Sequence, residues 1–203
     1  MTRSPYWVAL MVSLICAGLY AAGLASPDVD NLLAYRRSAI SEGEWWRLIT
    51  GNLLHTNQWH LLMNLAGLWV VLFLHHFHYH LKGLSALFFV LCLLEGIGLY
   101  LGYPQLLGYV GLSGMLHGLF AYGAVQDIVR KLHSGYLLLV GVIIKVGYEQ
   151  LYGASSDVTA MIGARVATEA HLVGLISGLI CALAVFIKLK MSQLKVPAPK
   201  SRY

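Results

Sequence analysis

The chain has 203 residues, of which 58% are hydrophobic and only 11% charged. Soluble domains carry about a quarter charged residues, so this balance excludes an ordinary soluble domain and points to a polytopic membrane protein. The formal charge of +5 does not indicate a nucleic-acid partner. Lys188, Lys190, Lys195, Lys200 and Arg202 follow the last apolar run, which suits a basic tail on anionic lipid.

A helix crossing a bilayer core of about 30 Å needs roughly 20 mostly apolar residues. The first such run is 6–25, preceded by Arg3. A signal peptide is the competing reading, but the run is long for one and further spans follow. The next stretch, "SPDVDNLLAYRRSAISEGEWWRLITGN", is too charged to cross and too rich in tryptophan for a slack linker. Its expected place is a loop partly embedded in the outer headgroup region. Further runs lie at 53–77, 84–101, 113–129, 136–152 and 168–189, with a basic tail over 190–203. The expected fold is therefore an all-α membrane protein, a bundle of six transmembrane helices in a single domain over 1–203. Arg3, Lys82, Arg130, Lys131 and the tail fall on one side. Arg36, Arg37, Arg47 and Arg165 fall on the other, diluted by Asp28, Asp30, Glu42, Glu44, Asp157 and Glu169. That asymmetry places both termini in the cytoplasm. Cys16, Cys92 and Cys181 all sit inside apolar runs, with neither metal-ligand spacing nor a disulfide framework, and read as small core hydrophobes.

The fourth run opens with "GYVGLSGMLHG". Ser113 is expected at the outer end of this helix, where unpaired N–H groups and the positive dipole end favour a developing oxyanion. Gly111 and Gly114 let the backbone bend and approach closely, while Gly114 with Gly118 also makes a small-xxx-small packing face. Taken alone, this stretch reads as packing at least as well as chemistry. The sixth run contains "EAHLVGLISG", where His171, Gly174 and Gly178 share one helical stripe near the same outer end. Two glycine-faced helices with a serine and a histidine at equal depth bring catalysis ahead of packing, since intramembrane ionisable groups are functional candidates. In "HTNQWHLLMN", His60 and Asn64 share a face and suit an oxyanion hole, a helix cap or interhelical hydrogen bond being the plainer alternative. His55 is a further member of that neighbourhood. No acid lies one turn from His171 on its own face, and Glu169 points elsewhere, so a Ser113–His171 dyad is expected and not a triad. No cofactor or metal motif appears.

"EWWR", "HLLMN", "GLSG" and "AHLVG" together resemble the rhomboid intramembrane serine proteases over nearly the whole chain. The resemblance implies Ser113 as nucleophile, His171 as base, and His60, Asn64 and the Ser113 N–H as oxyanion donors. It also implies a first loop, holding Trp46 and Arg47, that lies in the outer leaflet. The longer strings "EWWRLITGNLLHTNQWHLLMNLAGL" and "GLSGMLHG" are similar to the rhombosortase branch. That similarity implies a multi-pass protein of a bacterial inner membrane. Its substrates would be exported proteins with a C-terminal Gly-Gly motif, an apolar span and a basic tail. His117 stands where many rhomboids place a tyrosine against the catalytic imidazole; it is expected to stack on His171, competition as a proton partner being the other option. The run "HHFHYH" reads as an interfacial cluster, with His76 and His80 on one face and adventitious metal binding as the alternative. Lys145 and Glu149 form an i,i+4 pair inside the fifth span, with Glu95 as another possible partner. The small, polar "GASSDVTAMIGAR" that follows is expected to move with that span as a cap. A catalytically inactive relative that binds membrane clients, and a small transporter, are the competing functional classes.

Overall fold

The computed structural model describes residues 4–194; Arg3 and the tail residues Lys195, Lys200 and Arg202 lie outside the described residues. Long apolar segments make the long helices: α1 (Tyr6–Ala25), α5 (Gln58–His75), α6 (Leu81–Gly102), α7 (Ser113–Val129), α8 (Ser134–Tyr152) and α10 (Thr168–Leu194). Between α1 and α5 the chain forms short helices α2 (Asp28–Leu33), α3 (Arg37–Ser41) and α4 (Arg47–Thr50), and α9 (Ser156–Ile162) follows α8. Four helical stretches are long and apolar enough to cross a membrane: Tyr6–Ala25, Gln58–His78, Leu81–Gly102 and Thr168–Ser192. The α8–α9 pair meets the same test jointly, bent by 85°. The lipid reading also follows from the outside of the bundle. Leu14, Phe73, Phe89, Leu137 and Leu183 are each more than half exposed, whereas His60, Asn64, Glu95, Asp127 and His171 are buried. Apolar outside and polar inside is the distribution a bilayer stabilises. The chain is a multi-pass membrane protein built as a helical bundle.

Several boundaries depart from the apolar runs for local reasons. The run from 53 begins as a 3-10 turn (Gly51–Leu53), and α5 starts only at Gln58 because Asn57 caps it, its Oδ1 accepting from the His60 N–H at 2.9 Å. Helix α10 continues past the apolar run through Lys190, whose long stem lets an apolar helix continue while the charge reaches water. Two residues of the first loop, β1 (Tyr35–Arg36), pair antiparallel with β2 (Gly108–Tyr109), a link too short to carry a sequence pattern. Arg47 is an internal tie of the first loop. It is 4% exposed, donates to Ala34 O at 2.7 Å and Asn31 O at 2.8 Å, and pairs with Glu44. Trp46 stays nearly half exposed while its Nε1 donates to Leu32 O at 3.0 Å.

Helix α7 is the central element, enclosed by α5, α6, α8 and α10. Its tightest neighbour is α10. A methyl built on Gly174 would overlap the Gly114 carbonyl, one on Gly118 would lie 2.6 Å from Gly174 O, and one on Gly178 would overlap Gly118 O. The two glycine stripes therefore bring backbone against backbone, as small residues do in lipid.

Candidate active site

That contact sets the depth of the first turns of α7 and α10. Ser113 Oγ lies 2.9 Å from His171 Nε2. Behind His171, Nδ1 is 2.7 Å from Glu149 Oε2, carried by α8. The expectation of a dyad without an acid is corrected here. Residue spacing on α10 cannot reveal this acid, which arrives from the neighbouring helix α8. Glu149 is also the partner of Lys145, whose Nζ donates to the same Oε2 at 2.9 Å. Glu95, the alternative partner, is fully buried on α6 behind the first turn of α7, where a methyl at Gly114 would overlap its Oε1.

The contacts assign the protons. A carboxylate only accepts, so His171 Nδ1–H donates to Glu149 and Nε2 is left to accept from the Ser113 hydroxyl. His117 stacks on His171 with ring centroids 4.1 Å apart and planes 21° from parallel. Its Nδ1–H donates to Ser113 O at 2.7 Å, and its Nε2 accepts from Lys145 at 2.7 Å. Both His117 nitrogens are thereby occupied by other groups, and neither is free to take the serine proton. Lys145 Nζ is 3.4 Å from His171 Nδ1, a nitrogen already donating to Glu149.

On the other side of Ser113 stand the donors of α5. The Thr56 hydroxyl donates to Ile162 O at 2.7 Å, and the Thr56 N–H approaches His60 Nδ1 at 3.4 Å. With Nδ1 accepting, the neutral imidazole carries its proton on Nε2. Asn64 Nδ2 is buried and has no hydrogen-bond partner among the described residues. Gly111 has φ +130°, and a methyl there would lie 2.7 Å from His60 Nε2 and 3.7 Å from Asn64 Nδ2. The glycine keeps open the space that both donors face. His55 packs edge-on against His60, ring centroids 5.1 Å apart. It lies outside the spans, and burial pushes its imidazole down to about 3, with His60 acting the same way; it is a neutral wall behind His60. Ser113 N–H, at the first residue of α7, has no backbone acceptor within the helix. Gly111→Ala is expected to displace the His60 ring and to cut the reaction of Ser113 with a fluorophosphonate at least about a hundredfold, with the helical content unchanged; probe labelling read beside circular dichroism checks this.

Ser113, His171, His60, Asn64, His117 and Glu149 share one cavity of about 600 Å³, covered by the α8–α9 segment. That cover is tied to the start of α5 through Thr56–Ile162 and through Asn57 Nδ2 donating to Met161 O at 2.9 Å. A second, apolar groove lined by Met63, Gly67, Val71, Leu137 and Gly141 runs between α5 and α8 and reaches Ser113.

A serine hydroxyl, an imidazole and a carboxylate in line, inside a helical bundle with a lipid-facing exterior, define a membrane protein with the groups of a serine hydrolase. The family is plain from the sequence match: residues 42–188 match the rhomboid domain, and the chain belongs to the rhomboid family. The rhomboid protease GlpG of Haemophilus influenzae is 24% identical over 179 residues, covering 85% of this chain and 88% of that protein.

Proposed function

We propose that this chain is an intramembrane serine endopeptidase that uses a Ser113–His171–Glu149 array. The observation that carries the reading is the unbroken line from Glu149 Oε2 through His171 to Ser113 Oγ, with contacts of 2.7 and 2.9 Å. Ser113 Oγ attacks the scissile carbonyl carbon as its proton passes to His171 Nε2. The carbonyl oxygen takes the negative charge and is held by His60 Nε2–H, Asn64 Nδ2–H and the Ser113 N–H; a donor of this kind contributes about 3–4 kcal/mol. Collapse breaks the C–N bond, and His171 returns the proton to the leaving amine. Water then attacks the acyl-serine, giving its proton to His171, and the carboxylic product leaves with Ser113 restored. Glu149 is a positioning residue: it fixes the tautomer and faces the positive charge that His171 gains.

The substrates are membrane-anchored proteins whose span enters along the groove between α5 and α8. We further assign the rhombosortase type, acting near the periplasmic face of a bacterial inner membrane with both termini cytoplasmic. On this reading the substrates carry a C-terminal Gly-Gly motif, an apolar span and a basic tail. The motif similarity and the charge asymmetry support this.

The test uses detergent-solubilised protein, a fluorophosphonate probe and a Gly-Gly-tailed reporter. Wild type is expected to label and cleave, and Ser113→Ala and His171→Ala to do neither. Cleavage that survives in Ser113→Ala overturns the nucleophile. No labelling and no cleavage in wild type favours an inactive client-binding relative. Labelling with cleavage of other anchors, and none of the tailed reporter, removes only the rhombosortase assignment.

A further inference from the structure

The "HHFHYH" run is not absorbed by this mechanism, and the structure sorts its histidines differently from helical spacing. Helix α5 ends at His75, and a 3-10 turn (His76–His78) folds the chain back. That turn leaves His76 and His80 exposed and brings His78 inward beside His75. The expectation of an interfacial cluster therefore fails for two of the four histidines. The His75 side chain is fully buried, that of His78 is 2% exposed, and both face Asp127 of α7, itself 4% exposed. His78 Nε2 lies 2.5 Å from Asp127 Oδ1, and His75 Nδ1 lies 3.2 Å from Oδ2. Gly123, one turn before Asp127, makes the room, since a methyl there would overlap the His75 ring.

A buried carboxylate is costly unless a cation meets it. Among the described residues no lysine or arginine pairs with Asp127. A protonated His78 could neutralise it, but that leaves His75 unexplained. Neither nitrogen of this buried imidazole meets hydrogen-bond geometry with a partner among the described residues, although Nδ1 lies 3.2 Å from the carboxylate. A metal ion satisfies both groups at once, taking the imidazole lone pairs and the carboxylate charge. One donor atom from each of the three residues lies within 4.8 Å of the others. Donors about 2.1 Å from one tetrahedral ion stand about 3.4 Å apart. The His78–Asp127 contact must therefore open by about 1 Å, a side-chain adjustment. The contrast with the active site is direct: the group His117, Glu149 and His171 has similar donors, but the Lys145 ammonium already fills its centre.

We propose that His75, His78 and Asp127 supply three ligands to a divalent transition metal, zinc by its two-imidazole, one-carboxylate donor set, with water as the fourth ligand. Asp127 follows Ser113 by fourteen residues on one helix, about 21 Å along its axis, so the ion staples the end of α5 to α7 and takes no part in chemistry at Ser113.

The test uses the full chain, without a polyhistidine tag, in detergent after chelation. Cobalt(II) is expected to bind at one equivalent with the visible d–d bands of low-symmetry, imidazole-ligated metal. Zinc is expected to displace it and raise the melting temperature. Asp127→Asn and His75→Ala are expected to weaken zinc binding more than about tenfold, while His76→Ala and His80→Ala leave it unchanged. Absence of the cobalt bands in the wild-type chain overturns the site and returns the cluster to a His78–Asp127 ion pair. Binding that follows His76 and His80 also overturns it, as an adventitious surface chelate. Because the wild-type titration needs no variant, a failure of Asp127→Asn to fold leaves the proposal decidable, and neither result bears on the protease reading.

Discussion

Glu149→Gln is expected to lower kcat for a membrane-anchored reporter by about a thousandfold, or ~4 kcal/mol of transition-state stabilisation, with KM nearly unchanged. Glutamine keeps the volume, and its carbonyl oxygen can still accept from His171 Nδ1–H. What it removes is the negative charge 2.7 Å from the imidazole that becomes positive in the transition state. The Lys145 ammonium, 3.4 Å from the same nitrogen, then acts unopposed against that charge. The charge argument makes a second, sharper expectation. Lys145→Met in the Glu149→Gln background should restore at least about tenfold, because it removes the repulsion that the first substitution exposed. A purely structural role for Glu149 gives the opposite pattern, each substitution adding to the loss and both lowering the melting temperature. Near-wild-type turnover in Glu149→Gln would sink the carboxylate's role and reduce it to a partner for Lys145. Either result leaves Ser113 and His171 to be judged by labelling.

This array also marks where one-dimensional reading stops. Periodicity states which residues share a face of one helix, and by that logic His171, Gly174 and Gly178 form a stripe that meets the stripe of Gly114 and Gly118. Ser113 and His171 were legible together because the glycines announce which faces touch. The stacking of His117 on His171 came from the family resemblance, which places an aromatic ring against the imidazole one turn beyond the serine. Glu149 was visible as the i,i+4 partner of Lys145, but its second contact crosses from α8 to α10, and nothing in either segment states their rotation. The histidine run misled for a related reason. Its spacing implies a continuous helix, whereas the 3-10 turn after His75 reassigns which side chains point inward. Asp127 is visible only as an ionisable group inside the fourth run; its partner His78 lies 49 residues earlier, and no spacing announces that contact. The β1–β2 link and the burial of Arg47 belong to the same class of long-range facts.

Gly174→Val is expected to abolish labelling and cleavage together, with a loss of at least about a hundredfold that no adjustment of substrate repairs. The first atom of the added side chain would overlap the Gly114 carbonyl, and Gly114 Cα is only 3.2 Å from it. Backbone cannot rotate away as a side chain can, so the helices must part. Overpacking of this sort costs about 1–3 kcal/mol, which a bundle held by many other contacts can absorb without unfolding. The site cannot absorb it. The Ser113–His171 contact of 2.9 Å spans the same two helices, Ser113 directly before Gly114 and His171 about one turn before Gly174, and a shift of about 1 Å there removes proton transfer. The expected signature is thus a modestly lowered melting temperature with unchanged helical content and no fluorophosphonate adduct. Gly147→Ala is the matched control: no atom lies within 4 Å of an added methyl on α8, and its labelling is expected to equal wild type. Wild-type labelling in Gly174→Val would show that the α7–α10 glycine contact does not set the geometry of the serine, and the depth argument that joins the two motifs would fall with it.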